Sequence, residues 1–183
     1  MDDELTYLLV DGENIDGALG GILDRKPEPG ERPRWQRLLE FAEQEWGCDV
    51  RGLFFLNATR GLPAAFVQAL IAIGYRPIPL AGRTDEKVVD IGIQRTLDAL
   101  REREGNVLLA SHDADFVDQM AALADPPDRR IGVIAFADLV SQSLRTVPGI
   151  EIFDLEDDAE AFEVELPRVR VIPLEQFDPA KFL

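Results

Sequence analysis

Four aspartates in this sequence stand where carboxylates can gather. Asp11 closes the apolar run Tyr7–Val10, inside Val10-Asp11-Gly12-Glu13-Asn14-Ile15. Asp113 and Asp115 follow a second apolar run, Val107–Ala110, inside Ser111-His112-Asp113-Ala114-Asp115-Phe116. Asp90 ends Lys87-Val88-Val89-Asp90, near the start of a long helical pattern. At about 100° per residue it falls roughly 65° from the centre of that pattern's apolar stripe, on the core boundary. Carboxylates drawn together repel one another, and without a cation some of them hold protons. With Mg²⁺ or Mn²⁺ they become hard oxygen ligands. A metal held this way activates water and offsets charge on an attacked phosphate. One histidine, His112, and one cysteine, Cys48, leave no ligand set for zinc.

Each residue also has a plainer reading. Asp113 can cap the helix that follows it, and Asp115 favours that helix's positive end. Asp11 can form a turn beside Gly12. Asp90 can pair with Lys87 three residues earlier. His112 can be a packing residue with its polar atoms satisfied. The conjunction carries the functional reading: acids at two strand ends and one at a helix boundary.

Such residues need a scaffold, and the periodicity supplies one. Strands are expected at Tyr7–Val10, Val50–Leu56, Arg76–Leu80, Val107–Ala110, Ile131–Phe136 and Ile150–Phe153. Arg76–Leu80 carries two prolines and is expected at an edge. Helical spacing covers Arg34–Trp46, with Trp35, Leu38, Leu39, Ala42 and Trp46 on one buried face. It recurs at Leu62–Ile73, Asp85–Arg103, Asp113–Ala124 and Asp138–Leu144. Pro63 and Gly74 bracket the second of these helices. Alternating strands and helices imply an α/β three-layer sandwich: a mostly parallel central sheet of about five or six strands, of Rossmann-like kind. Ligands of such sheets sit at the carboxyl ends of the strands, where Asp11, Asp113 and Asp115 fall.

The 183 residues fit one domain, placed at 1–155, followed by an acidic linker and C-terminal tail at 156–183. A lone cysteine suits a reducing, cytoplasmic setting. The chain opens Met1-Asp2-Asp3-Glu4 without a basic-then-apolar leader, and no apolar run is long enough to span a bilayer. The net charge of -16 speaks against nucleic acid, whose phosphates an acidic surface repels. The charge is uneven, however: residues 151–183 hold 10 acids and 3 bases. Arg25, Lys26, Arg32, Arg34 and Arg37 form the densest basic stretch, readable as a solvated loop or as a phosphate-contacting lip. The apolar tail, Phe177-Asp178-Pro179-Ala180-Lys181-Phe182-Leu183, is expected to dock on the domain, on a protein partner or on a second copy.

The three motifs resemble those of the NYN family, PIN-like nucleases with a LabA-like bacterial branch. The first motif matches Val10–Ile15. Lys87-Val88-Val89-Asp90 is similar to the family's Lys-Gly-Val-Asp, and Ser111–Phe116 to its Ser-Gly-Asp-x-Asp-Phe. The resemblance covers about residues 5–155. It implies that Asp11, Asp90, Asp113 and Asp115 are catalytic metal-site acids for Mg²⁺ or Mn²⁺ in a ribonuclease. It further implies Asn14 near substrate or a metal-bound water, Ser111 supporting the acids, and Lys87 near phosphate. Val88 and His112 stand where glycines are usual, and His112 is expected to narrow the site or touch substrate. Thr96 stands where the family often has a further acid. Arg32 and Arg34 are the candidate phosphate contacts of the basic loop.

Two alternatives come from other classes. A regulatory module binding RNA or protein, without cleavage, suits the acidic surface and the apolar tail. A haloacid-dehalogenase-like phosphatase also places an Asp after its first strand, but needs a second Asp two positions on, where this chain has Glu13.

Overall fold

The computed structural model describes residues 4–183; the acidic start Met1–Asp3 lies outside the described residues. Six strands form one parallel sheet in the order β3-β2-β1-β4-β5-β6. In chain order they are β1 (Leu5–Asp11), β2 (Asp49–Asn57), β3 (Arg76–Leu80), β4 (Asn106–Ala110), β5 (Ile131–Ala135) and β6 (Glu151–Asp154). The expected α/β three-layer, Rossmann-like sandwich is therefore present, and its sheet is parallel throughout. Leu8, Leu9, Val10, Val107, Leu108 and Leu109 are fully buried, as strands covered on both faces require.

The helices divide between two faces. On β2, Phe54 and Phe55 point to opposite sides. Phe54 meets α1 (Gly12–Leu23) at Gly12, Trp35 of α2 (Trp35–Trp46) and Phe66 of α3 (Ala64–Ile73). Phe55 meets Gly92 of α4 (Val88–Leu100), which continues to α5 (Val117–Leu123) and α6 (Gln142–Arg145). Trp35 and Trp46 are buried in the core, as the stripe on α2 predicts. Gly74 ends α3 at φ 107°, a left-handed position that favours glycine.

Several boundaries differ from expectation. The long helix begins at Val88 rather than Asp85, because residues 81–87 form an exposed loop. Asp113–Ala124 splits into a 3-10 turn (Ala114–Phe116) and α5, because Asp113 caps that turn. On α3 only Leu70 is buried, while Phe66 and Ile71 are exposed. That helix packs on the short edge strand β3. The proposed boundary at residue 155 does not mark the end of packing. Leu155, Ala159, Ala161 and Leu166 are buried, and the Ala161 amide donates to the Leu155 carbonyl at 2.8 Å. The exposed tail begins only near Val169. No helix among the described residues is long and apolar enough to cross a membrane.

Candidate metal centre

Strand order reverses between β1 and β4, the pair whose carboxyl ends carry Asp11 and Asp113. A cleft opens at such a switch point because the flanking crossovers leave in opposite directions. Asp113 and Asp115 enter it from the turn after β4, and Asp90 from the first turn of α4. One carboxylate oxygen from each of these three residues lies within 4.8 Å of the others. Burial, then Asp113 and Asp115, raise the Asp90 carboxyl above its ordinary range, with Lys87 opposing. The Lys87 ammonium is 3.9 Å from Asp90 and largely exposed, so it offsets little of this repulsion. Gln94, one turn beyond Asp90, donates its side-chain amide to the Asp115 carbonyl at 3.1 Å. That tie joins α4 to the aspartate turn, and its sequence signal is the i,i+4 spacing from Asp90.

Asp11 lies behind this trio, 2 % exposed, and is not one of the three converging carboxylates. Its Oδ2 accepts from the Ser111 hydroxyl at 3.0 Å, and its Oδ1 more loosely from the Asn14 amide at 3.4 Å. Ser111 Oγ in turn accepts from the Asp113 amide at 3.2 Å. Ser111 thus links Asp11 to the backbone of Asp113. Burial pushes the Asp11 carboxyl up to about 7; Asp90 and Asp113 add to this, while the Ser111 and Asn14 bonds oppose it. Glu13 joins the same field, raised by burial and then by Asp90. In the sequence Glu13 stands where a haloacid-dehalogenase-like phosphatase needs an Asp. Its place two residues after Asp11, on the first turn of α1, was the available signal.

Two of the plainer readings are present as capping bonds. Asp11 caps α1, and Asp113 Oδ1 accepts from the Asp115 amide at 2.9 Å.

His112 turns inward. Its Nε2 accepts from the Phe136 amide at 2.9 Å, which fixes the proton on Nδ1, 2.8 Å from Asn14 Oδ1. The His112 backbone amide donates to the same oxygen at 2.8 Å. Burial lowers its pKa to about 4, so the ring is neutral. It stacks on Phe136 at 5.6 Å. Both ring nitrogens have partners inside the protein, and the residue anchors the Asn14 side chain. With its oxygen held twice, Asn14 has its amide nitrogen left over to donate.

The basic loop does not reach the carboxylates as free charge. Arg32 pairs with Asp16 at 2.5 Å, and Arg34 with Glu163 at 2.5 Å. Arg37 donates to the carbonyls of Glu160 and Phe162 at 2.5 and 3.2 Å. Arg34 and Arg37 fasten segment 160–163 to the domain in cis, while Arg32 is held by Asp16 of α1. A depression of about 720 Å³ beside this loop, lined by Pro29, Pro33, Trp35 and Phe66, is separate from the aspartates.

Fold and site together define a parallel α/β protein with acids at its switch point. No protein-family model matches the chain, and no curated protein does. Among solved structures, it is similar to a protein of unknown function from Vibrio parahaemolyticus RIMD 2210633, with a TM-score of 0.68 and 19% identity. The match covers 86% of this chain and 97% of the other. At that identity the likeness speaks for the fold.

Proposed function

We propose that this chain is a metal-dependent ribonuclease. The convergence of Asp90, Asp113 and Asp115 within 4.8 Å, with Asp11 buried behind them, carries the reading. Hard oxygen donors with only the exposed Lys87 to offset them suit Mg²⁺ or Mn²⁺. Bound there, such an ion supplies water activation and charge neutralisation at phosphate. Asp90, Asp113 and Asp115 hold it, and Asp11 adds negative charge from beneath. Ser111 and the Asn14–His112 pair fix the acids and present the Asn14 amide to the cleft. Lys87, exposed beside Asp90, faces incoming phosphate.

Thermal melting with and without Mn²⁺ tests the site, on wild type and Asp113→Asn in parallel. Stabilisation of wild type by about 2.7 kcal/mol at a hundredfold excess over Kd, lost in the variant, supports it. Metal-dependent cleavage of RNA that vanishes in Asp113→Asn then separates the enzyme from a binding module. The module reading draws on the net charge of -16 and on the exposed Val169, Val171, Leu174 and Phe182 of the tail. Metal stabilisation without cleavage would favour it. Hydrolysis of a small phosphomonoester, with RNA untouched, would favour the phosphatase.

A further inference from the structure

Where can a polyanion approach so acidic a protein? The arginines of the basic loop are taken: Arg25 pairs with Glu31 at 2.7 Å, Arg32 with Asp16 and Arg34 with Glu163, and Arg37 donates to backbone carbonyls. Two other loops leave the same carboxyl edge of the sheet as the aspartates. Residues 58–63 follow β2 and residues 81–87 follow β3, and both are largely exposed. They carry Arg60, Arg83 and Lys87. Among the described residues, neither the Arg60 nor the Arg83 guanidinium has a hydrogen-bond or ion-pair partner. Lys87 has only its long contact to Asp90.

The loops are built rather than slack. Thr59 Oγ1 accepts from the Gly82 amide at 3.1 Å, and the Ala58 amide donates to Leu80 at 2.7 Å. Gly61 turns the first loop at φ 127°. In the second, the Glu86 amide donates to the Arg83 carbonyl at 3.0 Å. A Cβ on Gly82 would lie 2.1 Å from the Glu86 carboxylate, so only glycine lets that side chain fold back. The tie at Thr59–Gly82 sets Arg60 and Arg83 one residue from the join on either side. Arg83 and Lys87 are four residues apart on a loop closed by the turn from the Glu86 amide to the Arg83 carbonyl, so their Cα atoms lie well inside the extended limit of about 14 Å. Lys87 caps α4 beside Asp90, so the row of cations runs into the carboxylates.

We infer that Arg60, Arg83 and Lys87 form a phosphate-binding lip that leads a single-stranded RNA across the ends of β3 and β2 into the aspartate site. The inference rests on the ribonuclease reading.

The test is fluorescence anisotropy of a labelled, unstructured oligoribonucleotide on the full chain, with Ca²⁺ present and salt varied. Arg60→Ala/Arg83→Ala is compared with wild type and with Arg34→Ala. Each lost single-strand phosphate contact lowers the slope of log K against log salt by about 0.7, so the double variant should lose about 1.4. Arg34→Ala should leave the slope unchanged. Both lip residues are exposed, and unchanged melting confirms their folds. An unaltered slope in the double variant overturns the lip, as does a slope lost in Arg34→Ala instead. An acidic peptide bound as tightly as RNA, with the same sensitivity to Arg60 and Arg83, also overturns it. RNA cleavage that persists with an unaltered slope leaves the ribonuclease reading standing alone. RNA binding with the expected slope change, but no cleavage under Mn²⁺, keeps the lip and removes the nuclease.

Discussion

Replacing Asp11 by Asn should stabilise the metal-free protein at pH 8 far more than at pH 5. The Asp11 carboxyl is raised from 3.8 to about 7 by burial in the folded chain. The folded state therefore holds this proton more tightly than the unfolded state. Its contribution to stability is fully present below 3.8 and is lost as pH rises toward about 7. That rise from 3.8 to about 7 corresponds to about 4 kcal/mol. Between pH 5 and pH 8, about 3 kcal/mol of this is lost. Asn at this position never ionises, keeps an acceptor for the Ser111 hydroxyl and weakens the cap at Asn14, a cost of about 1 kcal/mol. The net gain is about 3 kcal/mol at pH 8 and under about 1 kcal/mol at pH 5. For a chain of this length that is a melting rise of roughly 6–12 °C at pH 8. The wild-type profile alone would mislead, because His112 works in the opposite sense. Its pKa is lowered from 6.5 to about 4, so its contribution is lost as pH falls below 6.5. The difference between variant and wild type cancels His112 and isolates Asp11. Calorimetry in chelator at the two pH values makes the comparison. A difference that does not change with pH would refute the electrostatic account of Asp11.

His112→Ala should cost about 3 kcal/mol by chemical denaturation, because it strands the buried Phe136 amide and strips a donor from Asn14; an unchanged midpoint would make the anchor idle. Truncation after Ile172 should leave the melting temperature within about 2 °C, since the residues removed are exposed. Truncation after Glu156 should instead give an unstable chain, because it removes the buried Ala159, Ala161 and Leu166. Gly12→Ala should lose about 1–3 kcal/mol in the same assay, as its Cβ would lie 2.8 Å from the Phe54 ring.

Strand ends were the most legible part of this molecule. A parallel strand buried on both faces is a continuous apolar run, so its polar stop marks the carboxyl edge. Asp11, Ser111 and Asp113 could be located that way, and Asp90 from its angle on α4. The pairing state of cations was not legible, because it depends on contacts distant in sequence. Arg34 meets Glu163 and Arg37 meets the Glu160 carbonyl, more than a hundred residues away. A composition reading sees a basic cluster at Arg25–Arg37 and an acidic linker at Glu156–Glu165 as two features. In the fold they are joined, by the Arg34–Glu163 ion pair and by the bonds from Arg37 to the Glu160 and Phe162 carbonyls. The inward turn of His112 was equally hidden, since Phe136, whose amide holds it, lies on another strand's exit.

Helix capping alone does not account for the acids at this edge. A cap needs a short polar acceptor, and Ser or Asn serves as well as Asp. Choosing Asp at position 11 places an ionisable group where burial disfavours its charge by several kcal/mol at neutral pH. Asp90 and Asp115 cap nothing, yet converge with Asp113 with only a distant lysine to balance them. A fold selected for stability alone would relieve that repulsion with one neutral substitution. Keeping four acids makes sense if a cation enters, because each added carboxylate then strengthens its hold instead of weakening the fold. Measured affinity should therefore fall on Asp11→Asn at the same pH where apo stability rises. Opposite signs in the two quantities would mark Asp11 as part of the metal site; a parallel rise or fall would return it to the role of a cap.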